Sequence, residues 1–376
     1  MNKEDWEVKK LENCFEFIRN GANIKQDSFA KGFPITRIET LSNDVFNRDR
    51  LGYANIFETE KYKKYLLYDK DILMSHINSM KYLGRAVLYI KKSDEIIIHG
   101  MNLLNLRAIK SILRPEFACY YFGSRSFKSD IYKIAKKAVN QASFTISSLK
   151  SISIPIPPLP IQTQIVAELG ELNAILDKKR KQLEELDTLA QATFYDMFGD
   201  PVLNDKGWEV KKLNQLAVLK AGKFIKASDI ASDNTGLLYK CYGANGLRGY
   251  VSAYNHFGTH VLIGRQGALC GNVTLAKGKF YATEHAVVVT PLIKSESLWL
   301  LYILDYLNLN RYATGAAQPG LSVNKINNII IPFPPIVLQY QFAERIEAIE
   351  AQKELINQSI KEVQLLFDYT MDKYFN

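Results

Sequence analysis

Residues 154–164 read Ile-Pro-Ile-Pro-Pro-Leu-Pro-Ile-Gln-Thr-Gln, and 177 positions later residues 331–341 read Ile-Pro-Phe-Pro-Pro-Ile-Val-Leu-Gln-Tyr-Gln. The same register holds upstream, where Gln141 falls on Gln318, Leu149 on Ile326 and Ile152 on Ile329. A second echo lies further out. Trp6-Glu7-Val8-Lys9-Lys10-Leu11 returns intact as Trp208-Glu209-Val210-Lys211-Lys212-Leu213, at an offset of 202. Two collinear blocks establish an internal duplication, which is the first thing a fold assignment must take into account. The offsets differ by 25, so the first copy carries 25 extra residues between its anchors.

Both copies share one order of parts. After the tryptophan come β-branched runs, Asp94-Glu95-Ile96-Ile97-Ile98 in the first and Ala286-Val287-Val288-Val289 in the second, which predict short strands between Gly, Asn and Asp turns. The IPxPP tract follows; its ring constraints predict an extended or polyproline segment that ends any sheet. Beyond it the apolar residues fall at steps of 3, 4 and 7. In copy one they are Ile161, Ile165, Leu169, Leu172, Leu176, Leu183, Leu186, Ala190, Phe194 and Met197. In copy two they are Leu338, Phe342, Ile346, Ile349, Ile356, Ile360, Val363, Phe367, Met371 and Tyr374. That spacing is the seam of a long amphipathic helix. The two seams superpose except for one reciprocal swap: Leu176 meets Lys353 and Lys179 meets Ile356.

Helices over 161–197 and 338–374 would each run roughly 55 Å at 1.5 Å per residue. Amphipathic helices of that length need partners, and each is the simplest partner for the other. Leu169, Leu176, Leu183 and Leu186 are expected to pack against Ile346, Ile356, Ile360 and Val363. Paired antiparallel, they would hold two similar heads at a fixed separation and give one chain a pseudo-two-fold axis.

The chain has 376 residues, enough for two domains. Hydrophobic residues make up 47% and charged ones 23%, which excludes a mostly disordered chain. A net charge of +9, from 48 Lys+Arg against 39 Asp+Glu, suits a polyanionic partner without requiring one. Cys14, Cys119, Cys241 and Cys270 lie far apart, with no CxxC, and read as reduced structural thiols of a cytoplasmic protein. The polar start has no apolar signal region, and no run of 18 apolar residues predicts a membrane span. Catalytic signatures are missing as well: there is no GxxxxGK[ST] loop, no GxGxxG after a strand and no nucleophile elbow. His256 and His260 are spaced i,i+4 but flank Phe257-Gly258-Thr259, read as a turn, which disfavours zinc. No catalytic residue, metal or cofactor is expected.

The polar side chains cluster instead around glycines. Tyr242-Gly243-Ala244-Asn245-Gly246-Leu247-Arg248 holds a strong tight-turn signal that would display Tyr242, Asn245 and Arg248. Gly264-Arg265-Gln266-Gly267 places Arg265 and Gln266 where backbone approaches another surface closely. Arg and Gln match guanine and adenine edges in the major groove. Gln318 sits at the tip of a third loop, 314–320. Copy one aligns Ser75, His76, Ile77 and Asn78 with 264–267, and Gln141 with Gln318; Arg37, Arg85 and Arg107 are further cationic candidates. A shared framework with altered tips suits two modules reading different targets.

Taken together, these motifs resemble the specificity subunit of type I restriction–modification systems. The carrying residues are the duplicated Trp6–Leu11 and Trp208–Leu213 starts and the two IPxPPxxxQxQ tracts. To these are added Leu262–Ala268, Thr283-Glu284-His285-Ala286 and Ala317-Gln318-Pro319-Gly320-Leu321-Ser322. The resemblance implies an α/β (α+β) fold with target-recognition domains at 1–155 and 206–332 and long helices at 160–198 and 337–375. It implies that each domain reads half of a bipartite, asymmetric double-stranded DNA site while the helices set the spacer. It further implies docking to two copies of a methyltransferase subunit and to a motor/nuclease restriction subunit, which would hold the S-adenosylmethionine, ATP and Mg. Two alternatives stay open on the residues: a coiled-coil adaptor whose heads bind proteins, and the recognition subunit of a fused restriction–methylation enzyme.

Overall fold

The computed structural model describes residues 6–27, 29–42, 44–234, 236–315 and 319–376. It divides into two compact units: Met1–Lys179 with Ser359–Asn376, and Arg180–Gln358.

In unit 1 the repeated motifs meet each other. Glu7–Lys10 pairs antiparallel with Ser153–Ile156, setting Val8 opposite Pro155 and Lys9 opposite Ile154. Unit 2 repeats this register, with Val210 opposite Pro332 and Lys211 opposite Ile331. Just past each ladder Leu11 N donates to Ile152 O (2.8 Å) and Leu213 N to Ile329 O (2.9 Å). The Pro-rich tracts therefore do not end a sheet as their rings suggested. They form one in each unit, because a two-stranded ladder leaves an outer edge that needs no proline N–H.

The glutamine that follows explains the rest of the motif. Gln162 is fully buried; its Nε2 donates to Pro157 O (2.9 Å) and Ile112 O (2.8 Å), and its Oε1 accepts from Arg114 N (2.8 Å). Gln339, also fully buried, donates to Pro334 O (2.8 Å) and accepts from Glu296 N (2.9 Å). Arg114 and Glu296 are the N-caps of the short helices Pro115–Gly123 and Ser297–Tyr306. One side chain thus fastens the proline tract, the start of a long helix and the start of a short one.

Each unit lays a sheet on these helices. In unit 1 the sheet is antiparallel, in the order Phe15–Asn20, Leu103–Ala108, Ile72–Ser75, Ala86–Leu88. Ile72, Met74, Leu104 and Leu106 face a core with Phe117, Tyr121, Phe127, Ile165, Leu169 and Phe375. Unit 2 repeats that order with Ala217–Ala221, Ala286–Pro291, His256–Gly264 and Val273–Ala282, then adds the hairpin Tyr239–Gly243 and Gly246–Val251. Leu219, Val261, Ile263, Val287 and Val289 pack on Trp299, Phe194, Phe342 and Ile346. The expected strand at Asp94–Ile98 is absent: only Ile98 makes isolated bridges, to Ile35 and Leu66. His256 and His260 lie on a strand, not about a turn.

The long helices are Leu159–Phe198 and Ile336–Phe375. In unit 1 the start of the first meets the end of the second, where Glu168 accepts from the Tyr374 hydroxyl. In unit 2 the end of the first meets the start of the second, with Phe194 and Phe198 against Phe342 at ring separations of 5.6 and 5.3 Å. The pairing is therefore antiparallel inside each unit. Gly199, at φ +76°, stops the first helix in the left-handed geometry that glycine tolerates.

Among the seam residues Leu169, Leu176 and Ile346 are buried, Leu169 and Ile346 within the unit cores, whereas Leu183, Leu186, Ile356, Ile360 and Val363 are half-buried. The seam swap also has a structural outcome. Lys353 has a side chain only 16% exposed, held by Asp187 (2.6 Å) and Glu350 (2.8 Å).

Replacing Gln339 by Leu leaves the Glu296 N–H and Pro334 carbonyl without their side-chain partner. It should cost about 1–3 kcal/mol, read as a lower urea midpoint at unchanged slope. A second expectation concerns His99 in unit 1, whose imidazole burial holds down to about 3. The unfolded chain takes up that proton near pH 6.5. Stability is then complete above about pH 6.5 and falls as pH drops from there toward 3, with about 2 kcal/mol lost between pH 7 and pH 5. Urea melts at the two pH values should show a smaller difference for His99→Gln than for the parent chain.

Candidate nucleic-acid interface

In unit 2 the strand His256–Gly264 delivers Arg265 and Gln266 to one end of the sheet. A Cβ on Gly264 would stand 1.8 Å from Ala244 O, so only glycine lets the Asn245-Gly246 hairpin turn close onto this strand. The loop is then tied on its other sides by main-chain bonds. Arg265 N donates to His285 O (3.0 Å), Leu321 N to Arg265 O (2.9 Å) and Gly267 N to Pro319 O (2.9 Å), while Gln266 forms a bridge with Gly320. Thr283 N donates to Tyr242 O (2.9 Å), and Asn310 Nδ2 donates to Cys270 O (2.9 Å). Four segments, at 244–246, 264–272, 283–285 and 310–315 with 319–320, therefore form one surface. Gln318 lies outside the described residues.

On this surface Asn245, Arg248 and Gln266 are exposed and Arg265 is half-exposed. Neither Arg248 nor Arg265 makes an ion pair among the described residues. Both guanidiniums are thus available to phosphate oxygens or to the paired acceptors of guanine. Tyr242 is a correction: it is 6% exposed, set edge-on to Phe280 at 5.8 Å, and burial raises its hydroxyl pKa. It packs in a buried cluster with Leu262, Phe280 and Val288 and does not face solvent. Asn272, whose Nδ2 reaches Asn245 Oδ1 at 3.5 Å, was not singled out in the sequence, and the Glu284–His285 pair, with Oε1 to Nε2 at 3.1 Å, entered there only as part of a family motif and not as site residues.

Unit 1 builds the corresponding frame. Phe144 N donates to His76 O (3.2 Å) as Leu321 N does to Arg265 O, and Ser143 opposes Ile77 as Gly320 opposes Gln266. Ser75 N donates to Arg85 O (2.8 Å) as Gly264 N does to Asn272 O (2.8 Å). His76 thus stands at the place of Arg265, and Arg85 at that of Asn272.

The side chains on this frame behave differently from those in unit 2. Ser75 and His76 are buried, at 1% and 8%, and desolvation lowers the His76 pKa, so both are corrected from exposed tips to supporting residues. Asn78 is half-exposed with its Nδ2 on Ser75 Oγ (3.2 Å), and Gln141 is exposed. Arg85 pairs with Asp44 (2.9 Å) and Arg37 with Glu39 (3.5 Å). Arg107 is a further correction. It grips the buried Asp71 with two bonds of 2.8 Å, the contact that raises its pKa, and is structural in this arrangement. No group of three or more His, Cys, Asp or Glu could hold a metal among the described residues, and no described helix is long and apolar enough to cross a membrane.

A duplicated α/β chain whose two units are each built onto antiparallel helices, with uncompensated arginines on a loop surface, has the build of a recognition subunit. Comparison with known proteins specifies which kind. A profile for the type I restriction modification DNA specificity domain matches residues 3–187 and again 205–365. The chain is 30% identical over 400 residues to the putative type I restriction enzyme MjaX specificity subunit of Methanocaldococcus jannaschii, covering 96% of this chain and 92% of that one. It is 37% identical over 234 residues to the EcoprrI specificity subunit of Escherichia coli, covering 59% and 57%. Its fold matches the crystal structure of the type I restriction–modification S subunit from M. genitalium, with a TM-score of 0.62, 16% identity, and 99% and 96% of the two chains covered. The chain belongs to the type I restriction–modification specificity-subunit family, and within such systems it is the specificity subunit and not a catalytic one.

Proposed function

We propose that the chain reads a bipartite, asymmetric site on double-stranded DNA, with one half-site for the module at 1–155 and the other for the module at 206–332. The observation that carries this reading is the four-loop surface of unit 2, where Arg265, Gln266, Asn245 and Arg248 are presented on main-chain supports and the two arginines have no carboxylate partner among the described residues. Lys and Arg contacts to phosphates would supply most of the affinity, and the loop side chains would supply choice of base. In unit 1, Gln141 and Asn78 are the exposed groups on the matching frame, and Arg37 and Arg85 would reach DNA by exchanging a carboxylate for a phosphate.

The long helices would set the spacer between half-sites. Their repeated seam offers two like surfaces, which supports docking of two methyltransferase subunits, with the restriction subunit joining that core. Since an adenine must leave the base stack to be methylated, flipping would belong to the methyltransferase and positioning to this chain.

Purified full-length chain should retard a random duplex weakly. That affinity should drop by roughly a thousandfold or more between about 50 and 200 mM salt, the behaviour of six or more phosphate contacts. Selection from a randomised duplex pool should return two fixed half-sites, and Arg265→Ala should relax one base position in one of them. Salt-independent retention, or loss of both halves together, would count against base reading by this loop. Inserting four helix-forming residues into one long helix adds about 6 Å of rise and should lengthen the selected gap; an unchanged gap removes the spacer role from the helices.

A further inference from the structure

The loop Thr283-Glu284-His285 joins the strands Val273–Ala282 and Ala286–Pro291. Its backbone is fixed: Thr283 N donates to Tyr242 O (2.9 Å), Ala286 N to Thr283 O (3.0 Å), and His285 O accepts from Arg265 N (3.0 Å). Glu284 therefore stands beside the Arg265 loop. Its side chain is 30% exposed, with Oε1 lying 3.1 Å from His285 Nε2 and Oε2 turned inward and buried, so Oε1 is the oxygen open to a ligand on this face. A carboxylate on a face that approaches phosphates is repelled unless the duplex itself gives it a hydrogen bond. In the major groove the donors are the exocyclic amino groups of cytosine and adenine.

Unit 1 has the same loop in the same place. Ala22 bridges Gly100 in parallel as Lys223 bridges Thr283, and Ala22 N donates to His99 O (2.8 Å) as Lys223 N does to Ala282 O (3.0 Å). Met101 consequently occupies the position of Glu284. It is 40% exposed, an apolar side chain held out at the loop end of the sheet. The groove feature that suits such a chain is the thymine methyl group.

We propose that this matched position is a base-selecting site in both units: Glu284 accepts from an exocyclic amino group in one half-site, and Met101 packs on a thymine methyl in the other. The proposal deepens the DNA-reading function and rests on it. The test is selection by the full-length chain from a duplex pool with randomised positions. The parent should enrich cytosine or adenine at one position of one half and thymine at one position of the other. Glu284→Met should turn the first preference to thymine by about tenfold or more and leave the other half as it was. Met101→Glu should do the converse in the second half. Glu284→Gln, which keeps the shape, should move the first preference toward adenine, and it decides the matter should Glu284→Met fail to fold. A parent that enriches no sequence overturns the DNA-reading function and this proposal with it. A parent that enriches two half-sites, with variants that keep every base or weaken all bases of a half alike, overturns this position alone.

Discussion

Everything in either unit hangs from a buried primary amide. Gln162 and Gln339 each sit at zero exposure, where an amide left without partners would cost about 1–3 kcal/mol. Each meets that demand by bonding three ways or two ways to backbone that comes from separate parts of the chain. The carbonyl of a proline just before the long helix accepts, and the N–H that begins the short helix donates. The geometry of those bonds fixes the angle at which sheet, short helix and long helix leave the junction. The ladder between the tryptophan-led strand and the proline tract then closes each unit on itself, so the duplicated motifs are two halves of one joint.

Much of that joint was legible in the sequence, because repetition exposes what physics holds constant. The seam residues of 161–197 and 338–374 fall within helices that begin two residues earlier and end one later, since the periodicity reports burial and says nothing of caps. Where reading went astray, the competing force is identifiable. Proline argues against sheet only where both edges need donors, and the two-stranded ladder has a free edge at Pro155 and Pro332. Asp94–Ile98 has strand-like composition, yet Ile97 and Ile98 are buried in irregular chain, which shows that branched residues mark burial as readily as extension.

The interface was half legible. Glycine spacing locates the turn at 245–246 and the loop at 264–267, because close approach of Gly264 to Ala244 is a demand that only glycine meets. Exposure within those loops is another matter. Tyr242 lies in a run, Cys241–Gly243, that is buried throughout, and His76 falls between two strands beside the buried Ser75, so which residue of each stretch reaches solvent is set by tertiary packing. The pairing of Arg107 with Asp71 spans 36 positions of chain, and no local pattern announces it. Glu284 stood in the sequence only as part of a motif, without a role, for a similar reason: its place beside Arg265 depends on the carbonyl of His285 accepting from Arg265 N, a contact between loops 20 positions apart.

The bonds that gather the four loops of unit 2 run largely from peptide group to peptide group. Foldedness there is underwritten by atoms that every amino acid possesses, and the side chains on the rim are excused from structural duty. Such a surface is mutationally permissive where it matters: substitutions at Asn245, Arg248 or Gln266 alter what is displayed while the platform persists. Because the two units bury separate cores, innovation in one leaves the other undisturbed. A lineage carrying this chain is thereby equipped to diversify by small steps, one head at a time, without passing through a misfolded ancestor.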